Sequence, residues 1–141
     1  MLYVKPEEVT MEFLTQAMTN AAFEVIKEEN ENVVYVKGGA IGCWVELDTE
    51  RKMIRIKTWY QCKEDAPLEE LDHFANICNS SFIFVQFWAE VVEERGYLNA
   101  TYDIHYNFGL IPPQFIYSIK KLTEIARQAI TEKDPDDIFF T

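Results

Sequence analysis

Histidine, cysteine and long apolar runs are all scarce in this 141-residue chain, and each shortage removes a class of function. Only two histidines occur, His73 and His105. His73 stands beside Asp72 and five residues from Cys78, an offset that on a helix sends the two side chains to different faces. His105 shares the polar side of an alternating run with Asp103, Thr101 and Asn99, so both histidines read as surface residues. The three cysteines, Cys43, Cys62 and Cys78, are odd in number, widely spaced and without a CxxC pair. That excludes a disulfide framework or a zinc site of recognisable spacing and fits a reducing compartment. The longest apolar stretch, Phe82 to Val92, is interrupted by Gln86 and Glu90 and falls short of the roughly 18–20 residues of a membrane span. Residues Met1 to Glu8 lack the basic-then-apolar pattern of a signal peptide. A cytoplasmic chain with no membrane partner is expected.

Positive charge is short as well: 13 Lys and Arg stand against 24 Asp and Glu, a net charge of −11. Such a chain repels phosphate backbones, so nucleic acid is not an expected partner. One basic cluster, Arg51, Lys52, Arg55 and Lys57, reads as a solvated hairpin edge guarded by charge. Glycine is sparse, and its one concentration, Gly38-Gly39-Ala40-Ile41-Gly42, lacks both the Lys-Ser/Thr of a phosphate loop and a helix directly after it, so it reads as a turn or bulge. Ser80, Ser81 and Ser118 sit in no nucleophile elbow or SxxK motif. The carboxylates fall in turns and in first turns of helices. No catalytic residue, cofactor site or metal site is expected, and an enzyme is not the leading reading.

What is plentiful is aromatic mass: ten Phe, seven Tyr and three Trp. With nearly half of the residues apolar, disorder is excluded over most of the chain, and residues 1–141 read as a single domain. Lys5-Pro6-Glu7-Glu8 looks like a helix start, and helical spacing then continues to about Thr19. Short β runs follow at Phe23 to Lys27, Val33 to Lys37, Cys43 to Asp48 and Met53 to Tyr60. A second helix begins near Asp65-Ala66-Pro67 with Leu68, Leu71, Phe74, Ala75 and Cys78 as its stripe. Strands Phe82 to Val92 and Leu98 to Tyr106 flank the turn Glu93-Glu94-Arg95-Gly96. The last helix runs from about Pro113 to Glu132 with Phe115, Ile119, Leu122, Ala126 and Ile130 on its core face, and the acidic tail ends in apolar residues. The order α-β-β-β-β-α-β-β-α predicts an α+β fold, an antiparallel sheet of about six strands with three helices packed on it.

The strand Phe82 to Val92 is apolar on both faces: Ile83, Val85, Phe87, Ala89 and Val91 on one, Phe82, Phe84 and Trp88 on the other. Either the chain's own helices cover the second face or a partner does. Trp44 and Trp59 lie on the polar sides of their strands and extend that second patch. Phe82, Phe84, Trp88, Trp44 and Trp59 are therefore the candidate partner or dimer surface.

The segment Leu68 to Asn79, with Asn76 and Asn79, the hairpin around Gly96, and Phe108-Gly109-Leu110 before the last helix resemble the plan of the YbjN-type family. That family is similar in fold to the class I type III secretion chaperones. The resemblance spans roughly Val9 to Ile130. It implies a small bacterial intracellular protein, without settled activity, of a kind described as sensory-transduction regulators or chaperone-like proteins. The related chaperones dimerise and hold an extended client against apolar patches. The combined expectation is a non-enzymatic protein-binding module, a homodimer with a protein client. The alternative is an immunity or inhibitor protein capping a basic toxin.

Overall fold

The structure, a computed structural model, describes residues 3–140. Helix α1 (Met11–Asn20) begins at Thr10, whose side chain accepts a hydrogen bond from the Phe13 N–H at 3.0 Å. The helix start expected at Pro6 is a separate 3-10 turn, Pro6–Glu8, because Val9 and Thr10 take extended backbone and break the helix there. Leu14 and Met18, four apart, are the buried pair of α1.

Four strands then form a meander: β1 (Glu24–Lys27), β2 (Val33–Lys37), β3 (Cys43–Asp48) and β4 (Met53–Gln61). A 3-10 turn, Leu68–Glu70, leads into α2 (Leu71–Ser81), followed by β5 (Gln86–Val92), β6 (Arg95–His105) and α3 (Pro112–Lys133). The strands lie in the order β1-β2-β3-β4-β6-β5, every neighbouring pair antiparallel. The expected α+β order is the observed one.

Alternation along the strands sorts the residues into two faces. Val34, Val36, Cys43, Val45, Leu47, Ile54, Ile56, Leu98, Ala100 and Phe87 are buried on one face. Phe115, Ile119, Leu122 and Ala126 of α3 are buried with them, as are Leu14 and Met18 of α1. Phe74 of α2 meets the chain's end, its ring 4.8 Å from Phe139 and 5.8 Å from Phe140. That end is fixed by Asp134, whose carboxylate accepts from the main-chain N–H groups of Ile138, Phe139 and Phe140 at 2.9–3.1 Å.

Three expectations change here. The strand expected from Phe82 starts only at Gln86, because Phe84 takes a left-handed backbone (φ 84°) that an extended strand does not allow. The hairpin turn does not use its glycine: Glu93 and Glu94 both adopt positive φ, the signature of a two-residue type I′ turn, while Gly96 pairs with Val91 inside the ladder. A Cβ at Gly96 would come within 2.6 Å of the Leu68 side chain and 3.0 Å of Cys62 and Leu71, so the close approach of the 3-10 turn and the start of α2 is what requires glycine. The basic cluster is no edge, since β4 lies between β3 and β6.

Candidate functional site: the helix-free face of the sheet

The ladder register places Tyr35, Trp44, Lys57, Thr101 and Gln86 in one row across the outer face, and Trp59, Asn99 and Trp88 in the next. Among the described residues no helix packs on this face, and Trp59 and Trp88 are each 40% exposed. Trp44 stacks on Trp59 with ring centroids 4.0 Å apart and planes 8° from parallel, and Tyr35 tilts against Trp44 at 4.7 Å. The Trp44 indole N–H donates to Glu28 at 3.3 Å. Three strands thus contribute one continuous aromatic stripe, Tyr35–Trp44–Trp59, with Trp88 beyond Asn99.

The five residues expected to form one surface divide. Trp44, Trp59 and Trp88 come together on the outer face, but Phe82 and Phe84 do not join them. Phe84 stacks on Tyr102 (4.0 Å, 9°) and meets Tyr117 of α3 edge-on, while Phe82 tilts against Phe87 at 6.3 Å. Tyr102 and Phe87 belong to the helix-covered face. The turn of backbone at Phe84 ends the alternation that would have carried these rings outward, and it leaves Ile83 90% exposed instead.

The rest of the outer face is paired charge. Arg55 donates to both oxygens of Asp103 at 2.8 and 2.9 Å, and Lys57 meets Glu46 at 3.1 Å. Arg55's hydrogen bonds hold the Asp103 carboxyl below its ordinary range. The basic residues of β4 therefore serve cross-strand pairs rather than an open anion site.

Between Trp59 and Trp88 lies a hollow of about 450 Å³, lined also by Lys57, Glu90, Val92, Tyr97 and Asn99. Its floor, Asn99, is only 8% exposed and donates to Glu90 at 3.4 Å. Sequence reading placed Asn99 on a polar face but missed this hollow. The signal was the shared parity of Tyr97 with Asn99 and of Trp88 with Glu90, which becomes a site only once β6 is known to run between β4 and β5.

Elsewhere the chemistry is muted. Burial pushes the thiol of Cys43 up to about 12 and those of Cys62 and Cys78 up to about 11, so at neutral pH they are protonated and poor nucleophiles. His73 is exposed on α2 and His105 exposed at the end of β6. Among the described residues no group of three His, Cys, Asp or Glu side chains could hold a metal ion.

A six-stranded antiparallel sheet with three helices packed on one face, in this element order, defines a small α+β architecture. No family model matches the chain, and no curated relative matches it. Among solved structures it is similar to YbjN, a candidate transcription regulator from E. coli, with a TM-score of 0.77 over 94% of this chain and 96% of that one, at 14% sequence identity. The chain has the YbjN-type fold. Within it, Asn79 holds the sheet edge: its amide donates to the Phe87 carbonyl and accepts from the Phe87 N–H, both at 2.8 Å. No helix among the described residues is long and apolar enough to cross a membrane.

Proposed function

We propose that this chain is a non-enzymatic protein-binding module whose working surface is the helix-free face of the sheet. The observation that carries this is the exposed tryptophan pair, Trp59 and Trp88, on a sheet face that the chain's own helices leave bare. At 40% exposure each presents about 100 Å² of the ~250 Å² an indole can bury. At ~25 cal/mol per Å², covering both contributes about 5 kcal/mol, at the low end of the 4–15 kcal/mol that association costs. The stripe is therefore the hot spot of a larger, mixed interface rather than a whole obligate one, and the flanking ion pairs supply the polar rim.

Two occupants fit: a second copy, giving a homodimer, or a client protein. The net charge of −11 favours a basic client, since two copies repel each other. The same charge supports an inhibitor that caps a basic toxin. A regulatory role of the kind suggested for YbjN would run through protein contacts rather than DNA. Sedimentation equilibrium of the wild type and of Trp59→Ser/Trp88→Ser measures self-association directly, and binding of any basic client is compared between the same two proteins. Loss of association in the double variant, with Phe82→Ser unaffected, is the expected result. Unchanged association in both assays refutes the assignment of this face.

A further inference from the structure

The hollow between Trp59 and Trp88 has the makings of a receptor for one flat cation. Two strand spacings, about 9.5 Å, separate the strands that carry the indoles, with Asn99 of the strand between them as the floor. The stack of Trp44 behind Trp59 holds that indole in place before anything binds. Tyr97 adds a third aromatic side chain, and its hydroxyl accepts from Gln61 Nε2 at 3.3 Å. Glu90 supplies a carboxylate whose protein partner is the long 3.4 Å contact from Asn99. Of the nearby cations, Lys57 lines the hollow but is paired with Glu46 at 3.1 Å, and Arg95 is engaged with the Cys62 carbonyl at 2.7 Å and Glu64 at 3.9 Å.

We propose that this hollow binds a cationic side chain, an arginine above all, of an extended partner segment lying across the outer face. The proposal rests on the protein-binding reading and names the chemistry that the partner brings. Indole faces attract cations through their quadrupole, and a guanidinium combines that with flat stacking and a forked hydrogen bond to a carboxylate. The surplus of negative charge draws such a segment in and disfavours a second copy as its source.

The test uses the full chain labelled with 15N and an acetyl-Gly-Arg-Gly-amide probe, with the citrulline peptide as a neutral control of the same shape. The expected result is saturable movement of the Trp59 and Trp88 indole N–H signals at millimolar peptide. Citrulline should bind at least tenfold more weakly, Glu90→Gln several-fold more weakly, and Trp88→Ser should abolish the response. Equal binding of citrulline, or no arginine-dependent movement at tens of millimolar, overturns the proposal. The spectra of both variants establish that they fold. The broader reading fails separately, through unchanged association of the Trp59→Ser/Trp88→Ser protein. A face that still binds a partner protein while ignoring arginine refutes the cation receptor alone.

Discussion

Replacing Asp134 by Asn keeps the shape of the side chain and removes its charge and one acceptor. In the native protein Oδ1 accepts from Ile138 N at 2.9 Å, and Oδ2 accepts from Phe139 N at 3.1 Å and Phe140 N at 2.9 Å. An asparagine can keep the Oδ1 bond, but its NH₂ then points at two main-chain N–H groups. Hydrogen bonds to an ionised group contribute about 1.5–3 kcal/mol, against about 1 kcal/mol for neutral ones, and an orphaned buried donor costs about 1–3 kcal/mol. Asp134 is 5% exposed, so water cannot readily take over. We expect a loss of about 2–4 kcal/mol in urea unfolding followed by tryptophan fluorescence. Deleting residues 135–141 sets the upper limit, because it also withdraws Phe139 and Phe140 from Phe74 and Tyr60, at about 2–3 kcal/mol for each buried ring. Asp134→Asn should fall between wild type and truncation. A loss under about 0.5 kcal/mol, the scale of a surface substitution, refutes the view that this carboxylate anchors the tail.

Other perturbations follow from the same geometry. Asn79→Ala strips both bonds from Phe87 and should cost about 2 kcal/mol in the same assay; Asn79→Asp, which sets a carboxylate against the Phe87 carbonyl, should be at least as damaging. Gly96→Ala drives a methyl into Leu68, Cys62 and Leu71 and should destabilise by about 1–3 kcal/mol, readable as a drop in melting temperature. Thiol-reactive dye at pH 8 should label none of the three cysteines in the native protein and all three in urea. Because folding raises those thiol pKa values above the ordinary 9.0, the unfolded chain releases protons first, and stability should decline as pH rises past about 9. Asp103 runs the other way: its lowered pKa makes its contribution full above the ordinary 3.8 and lost as pH falls below it, and Asp103→Asn should flatten that part of an acid titration of stability.

The sheet was legible where period-two alternation was unbroken. Val33–Lys37 and Cys43–Asp48 begin and end where the pattern of side chains says they do. Trp44 and Trp59 could be assigned to the polar face for the same reason, although their stacking depends on a diagonal across β3 and β4 that only the register supplies. The reading failed at Phe84, because a left-handed residue looks like any other Phe in a β-rich run and flips everything before it to the other face. It stopped short at the tail, which is legible in sequence only as an acidic segment ending in apolar residues. An Asp before a turn whose carboxylate gathers three later N–H groups is a local motif, but whether the rings beyond it are buried depends on where α2 lies. The fold was therefore largely written in local patterns, whereas the hollow between Trp59 and Trp88 depends on β6 slipping between β4 and β5.

The clasp of Asn79 on Phe87 makes the two rims of the sheet unequal. At the β5 rim, an amide side chain of α2 takes both main-chain groups of Phe87, where a further strand would begin to pair; at the β1 rim, no further strand follows among the described residues. Polymerisation by rim-to-rim pairing needs a donor rim and an acceptor rim on every copy, so that each joined pair still offers an end to the next. Here the clasp takes the first rung of the β5 rim, so a strand adding there could pair only along the stretch beyond Phe87. The architecture thus shortens the edge open to strand addition in a chain this rich in aromatic and apolar strands, a local guard against edge-to-edge pairing.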